Sequence, residues 1–143
     1  VPDTQAAMMF DTKIVVVLRD DLADWQKLNV TAFTVSGIAG TVPGVVGEDY
    51  VDGSGNHHLP MFVQPVLIYS AESAKLRTVY ERTLRRGVRC AIFTEELFTT
   101  GNDIDNRAAV LPVPSEQLNL VGLALRAERK IVDKIVDGVP LHR

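Results

Sequence analysis

Two acidic clusters stand where apolar runs end. Arg19-Asp20-Asp21 closes KIVVVL at 13–18, and Thr94-Glu95-Glu96 closes VRCAIF at 88–93. Carboxylates that face each other can divide into a proton donor and a proton acceptor, so Asp21 and Glu95 are the candidate acid–base pair. Lys27, six residues past Asp21, is the candidate for stabilising developing negative charge or holding a phosphate. Arg19, Asp20 and Thr94 join them as candidate ligand contacts. Acids after strands also cap helices, and helix lysines also lie in solvent, so each residue has a purely structural use as well.

A second group of candidates lies in the polar stretch 99–107, TTGNDIDNR. Thr100, Asp103, Asn106 and Arg107 are expected to contact a ligand there, with Arg107 as the two-point partner of a phosphate or carboxylate. The same composition makes turns by bonding its own backbone. Other residues promise less. His57 and His58 are adjacent, so in a strand they point to opposite faces, and no third ligand follows at metal spacing. Gly53-Ser54-Gly55 falls in a turn between extended arms and not between a strand and a helix, where a nucleophilic serine would sit. Cys90 alternates with apolar neighbours and reads as an inert core thiol. No phosphate-binding loop, dinucleotide fingerprint or zinc spacing occurs, so no metal and no cofactor is expected.

These residues need a scaffold. The run at 13–18, rich in β-branched residues and nearly continuously apolar, suits a strand covered on both faces. From Leu22, the spacing of Leu22, Trp25, Leu28, Ala32, Val35 and Ala39 predicts a helix, with Asp21 as its cap and Gly37 or Gly40 at its end. Residues 48–62 predict a β-hairpin around Asp52-Gly53-Ser54-Gly55-Asn56. PVLIY at 65–69 predicts a strand. A helix capped by Ser70 follows, burying Leu76, Val79, Tyr80 and Leu84 and closing at Gly87, and then the strand at 88–93. That strand–helix–strand order predicts a parallel pair. Residues 118–125 predict another strand and 128–137 a last helix with Ile131, Val132 and Ile135 inward.

The sum is a three-layer α/β/α sandwich around a mixed, mainly parallel sheet. A flexible tail is expected over 1–10 and a single domain over 11–143. With 46% hydrophobic and 23% charged residues the chain can bury a core. The formal charge of −3 gives no general attraction to nucleic acid. One cysteine rules out an internal disulfide and fits a reducing cytoplasm. No apolar stretch nears the roughly 20 residues of a membrane span.

The order Lys13, Ile14 to Leu18, Arg19, Asp20, Asp21, Leu22 resembles the opening strand and turn of the type II peptidyl-tRNA hydrolases. Gln26-Lys27 stands where that family has Gly-Lys, and its helix glutamine falls near Thr31. Its Asp-Ala-Gly with a nearby threonine is replaced by Thr94-Glu95-Glu96 with Thr99 and Thr100. IVDKIVDGVPLH resembles its closing helix and short terminal strand. Across most of the chain, stretches such as RDDLADWQKLNV, LPMFVQPVLIY, IFTEELF and GNDIDNR resemble an uncharacterised bacterial family, the domain of unknown function number two thousand. The resemblance implies the hydrolase fold, with its active-site edge after the first strand.

Three functions follow as expectations. The first is a hydrolase-like enzyme using Asp21, Lys27 and Glu95 on a small anionic substrate. The second is a non-catalytic small-ligand-binding or regulatory module at the same edge. The third is a homodimer joined through Leu59-Pro60-Met61-Phe62. tRNA is not an expected partner. Lys13, Arg19, Lys27 and Arg107 stand among Asp20, Asp21, Glu95, Glu96, Asp103 and Asp105, and only Lys75, Arg77, Arg82, Arg85, Arg86 and Arg89 could form a separate basic face.

Overall fold

The computed structural model describes residues 10–143. The tail expected over 1–10 lies, through residue 9, outside the described residues. The elements are β1 (Thr12–Arg19), α1 (Asp24–Thr41), β2 (Tyr50–Val51), β3 (His57–His58), β4 (Val66–Ala71), α2 (Ser73–Arg85), β5 (Cys90–Thr94), α3 (Asp103–Val110), β6 (Leu120–Glu128) and α4 (Arg129–Ile135). Short 3₁₀ turns cover Glu95–Phe98 and Ser115–Gln117.

Alternation in β1 explains the layers. Val15 and Val17 join one core with Leu76, Val79, Leu123, Leu125, Val132 and Ile135, beneath α2 and α4. Ile14, Val16 and Leu18 join a second core with Val30, Ile38, Phe93 and Ala124, beneath α1. Successive strand side chains point to opposite faces, so a strand with helices on both sides must be apolar throughout.

The four-stranded sheet has the order β4-β1-β6-β5. Beside it, β2 and β3 pair as the expected hairpin. β1 pairs parallel with β4 and antiparallel with β6, and β6 pairs antiparallel with β5. Three strands therefore run one way and β6 the other, giving a mixed sheet with one parallel pair. The parallel partners are β1 and β4, not β4 and β5: the chain crosses from one edge of the sheet to the other through α2. The C-terminus closes against β4, where His142 N–H donates to Ile68 O at 2.8 Å.

Several local expectations are corrected. Asp21 does not cap α1, because it pairs with Arg19; the helix opens at Ala23, whose N–H donates to Gln26 Oε1 at 2.9 Å. The buried face of α1 is Val30, Thr34 and Ile38. Trp25 and Leu28 are exposed instead, since the helix meets the sheet one residue out of register with the stripe expected from Leu22. In α2, Thr83 replaces Leu84 in the core, and Glu72 rather than Ser70 precedes the helix. Residues 103–107 are not loop but the start of α3, capped by Asn102, whose Oδ1 accepts from Asp105 N–H at 2.9 Å. Among the described residues no helix is long and apolar enough to cross a membrane.

Candidate active site

Because β1, β4 and β5 run the same way, their last residues Arg19, Ala71 and Thr94 meet at one edge, where β6 begins just after Asn119. Register places the site there. Arg19 pairs with Ala71, and Asp20 N–H donates to Ala71 O at 2.9 Å. Between β5 and β6 the register slips: Phe93 faces Gly122 but Thr94 faces Leu120, leaving Val121 as an extra residue. Such a bulge ends pairing and re-aims the following side chains. Glu95 N–H then donates to Asn119 O at 3.0 Å, which swings Glu95 toward β1.

The Arg19 side chain, 15% exposed, is the hub. Its Nε donates to Asp21 Oδ1 at 2.6 Å, and its Nη2 stands 3.8 Å from Glu95 Oε1. Asn119 Nδ2 donates to Glu95 Oε2 at 3.0 Å and holds the far side of that carboxylate. Both carboxylates keep more than half of their side-chain surface in solvent. Thr94 is 2% exposed, its hydroxyl bonds no group among the described residues, and it is not sealed from solvent. The edge thus combines a fixed guanidinium, two accessible carboxylates from different elements and a free hydroxyl.

Aromatic rings flank this group. Trp25, in the first turn of α1, meets Phe98 edge-on at 5.6 Å between centroids; Phe98 lies 5.0 Å from Phe93, and Phe93 lies 6.0 Å from Phe33. Trp25 and Phe33 are more than half exposed. The ring chain fastens the Glu95–Phe98 turn to α1 and leaves an apolar surface beside the carboxylates. An open groove of about 840 Å³ continues from it between α1, β5 and α3, past Phe33, Phe93, Leu97, Asn106 and Arg107.

Of the candidates from sequence, the edge brings together Arg19, Asp21, Thr94 and Glu95, with Asp20 beside them. Lys27 lies half-buried on α1 and forms no ion pair among the described residues. Thr100, Asp103, Asn106 and Arg107 bond within their own segment. The Thr100 hydroxyl binds Asn106 and Leu97 O, and Arg107 Nε donates to Asp103 Oδ2 at 2.8 Å. That carboxylate holds the Arg107 pKa above its ordinary value. Asn119, Trp25 and Phe98 were missed. Asn119 precedes the apolar run at 120–125 and reads as part of that strand, so nothing local in the sequence signals its contact with Glu95. No group of three or more His, Cys, Asp or Glu placed to hold a metal occurs among the described residues.

The fold and this edge define a three-layer α/β/α domain with an arginine–carboxylate site. The chain belongs to the family described as Protein of unknown function (DUF2000), whose model matches residues 12–143. It is also similar to the solved structure of Atu0240, a protein of unknown function from Agrobacterium tumefaciens strain C58. The two are 47% identical with a TM-score of 0.92, over 94% of this chain and 100% of that one. No curated protein matches.

Proposed function

We propose that this protein is a hydrolase-like enzyme that cleaves an ester or amide bond at the Arg19–Asp21–Glu95 edge. The observation that carries this reading is the pair of accessible carboxylates held by one covered guanidinium at 2.6 and 3.8 Å. Glu95, fixed by Asn119, accepts a proton from a water as its oxygen attacks the carbonyl carbon. Nε and one Nη2 of Arg19 are engaged, so its other N–H groups and the Thr94 hydroxyl are free to receive the developing oxyanion. When the intermediate collapses, Glu95 returns the proton to the leaving oxygen or nitrogen. The likeness of residues 13–22 to the opening of the type II peptidyl-tRNA hydrolases supports the same edge.

The ion pairs shift the substrate class. Arg19 is shared by two carboxylates and Arg107 is matched by Asp103, while Asp20 and Glu96 add negative charge. A polar substrate without net negative charge fits this edge better than the anion expected from sequence, with its apolar part against Trp25 and Phe98. The test is hydrolysis of a panel of chromogenic acyl esters and acyl amides by the wild type, Glu95→Gln and Arg19→Met. Turnover lost in both variants with the fold intact supports the reading. Thermal stabilisation by a panel compound without turnover supports a binding module instead. Release of tRNA from peptidyl-tRNA, abolished by Glu95→Gln, would keep hydrolysis and overturn the substrate class.

A second reading rests on the hairpin, where Tyr50, Val51, Leu59 and Met61 are all more than half exposed. Exposed apolar side chains gathered on one arm favour a homodimer through it. Light scattering that returns a monomer at high concentration removes it.

A further inference from the structure

The charges of the chain are divided between faces. Residues 72–89 and 128–137, which contain α2 and α4, carry nine Lys or Arg against five Asp or Glu, a net +4 in a chain of net −3. Between the two helices runs an open groove of about 500 Å³ lined by Arg82, Arg86, Lys130, Asp133, Lys134 and Asp137. Arg82 lies in the last turn of α2 with Arg86 four residues on at its C-cap, and Lys130 and Lys134 are four apart on α4. At that spacing side chains neighbour each other on one helix face. The groove is therefore bounded by two cationic rungs.

Among the described residues its two carboxylates, Asp133 and Asp137, form no ion pair with these cations, which outnumber them four to two. Asp133 is taken by Lys13, whose Nζ lies 2.6 Å from Oδ1. Arg86, Lys130 and Lys134 form no ion pair among the described residues. Arg82 is fixed across the groove by donating to Ile135 O at 3.2 Å and Asp137 O at 2.8 Å. Four cations lining one groove repel one another, and a multivalent anion between them relieves that repulsion.

We propose that the α2–α4 groove binds a compact ligand bearing two or more adjacent phosphoryl groups, one set against each rung. At about 500 Å³, and with Asp133 and Asp137 also in its lining, the groove suits a diphosphate group rather than the long phosphate ladder of a nucleic acid. The same group occurs free or as the head of a polyphosphorylated lipid. The site is separate from the Arg19 edge and does not depend on its reading.

Calorimetric titration with inorganic pyrophosphate tests it. The wild type is expected to bind saturably. Arg86→Ala/Lys130→Ala is expected to weaken binding by at least about tenfold, as the loss of charge-assisted bonds requires, while Arg85→Ala, off the groove, leaves it unchanged. Arg82 is spared because it also ties the two helices. Vesicles of phosphatidylcholine containing a bisphosphorylated inositol lipid distinguish the sources: co-sedimentation lost in the double variant assigns the lipid head, and pyrophosphate binding alone assigns the free ligand. Absence of saturable pyrophosphate binding, or binding indifferent to the double variant, overturns the proposal. Tight, salt-sensitive binding of tRNA that pyrophosphate does not displace overturns it in favour of a nucleic acid.

Discussion

Arg19 and Glu95 stand 3.8 Å apart although four strands and two helices separate them in the chain. Their meeting depends on the shared direction of β1 and β5 and on the bulge at Val121. Because both carboxylate partners of Arg19 lie largely in solvent, the pairs contribute little to stability, about 1 kcal/mol or less. Arg19→Met is therefore expected to shift the urea midpoint only slightly. Turnover should fall by about a hundredfold or more, the loss typical of one oxyanion donor. A variant that unfolds readily but retains activity when folded would assign Arg19 to structure alone.

Gly122 sets how closely α1 approaches the sheet. A Cβ there would lie 2.5 Å from Val30 Cγ1 and 3.2 Å from the Val17 carbonyl oxygen. The side chain could yield; the β1 backbone cannot without disturbing the strand that ends in Arg19. Gly122→Ala should cost about 1–3 kcal/mol by overpacking. Gly40 in α1 meets nothing within 4 Å, so Gly40→Ala should stabilise by up to about 1 kcal/mol through helix propensity. Urea denaturation of both variants checks the pair, and equal effects would show that close packing at Gly122 is not what requires glycine.

The layers were legible because β1 is apolar on both faces and strand–helix alternation is strong. Strand order was not, since nothing local in VRCAIF tells that β6 inserts between it and β1. Helix faces failed where propensity competed with packing. Trp25 and Leu28 repeat at helical spacing, yet Val30, Thr34 and Ile38 lie over the sheet. Thr34 hides its polarity by donating to Val30 O at 2.8 Å, so its type misled. At the site, acids after strands pointed to Asp21 and Glu95, whereas the Asn119 contact arises only through the bulge. Within the polar stretch 99–107, Asn102 caps α3 and Arg107 pairs with Asp103.

The hairpin turn is expected to respond to acid. Asp52 Oδ1 accepts from Ser54 N–H at 2.8 Å and Asn56 N–H at 3.1 Å, and Oδ2 lies 2.9 Å from His58 Nε2. The His58 contact first, then the two amides, hold its pKa below the ordinary 3.8. The unfolded turn thus binds a proton more readily than the folded one. The stabilisation is fully present above about pH 4 and fades as pH falls through the lowered folded value. Amide shifts of Ser54 and Asn56 should report this in an NMR titration, and Asp52→Asn should remove the dependence. A midpoint at or above 3.8 would contradict the bonding.

Cys90 should behave as a quiet thiol despite its place on the free edge of the sheet. Burial pushes its pKa from 9.0 to about 11, and among the described residues no charged group offsets it. At neutral pH this leaves about a hundredfold less thiolate than in an ordinary cysteine, and thiolate is the reactive form. Iodoacetamide should label the folded protein slowly and the urea-unfolded chain about a hundredfold faster, as mass spectrometry can follow. The linkage runs the other way from Asp52: the folded state holds this proton more tightly, so the contribution is complete below pH 9 and is lost as pH rises through about 11. Because Cys90 lines the groove that adjoins Phe33 and Arg107, a substrate seated there should slow labelling further. Rapid stoichiometric labelling at neutral pH would show an activated thiol, and would move the search for the nucleophile from a water beside Glu95 to the β5 edge.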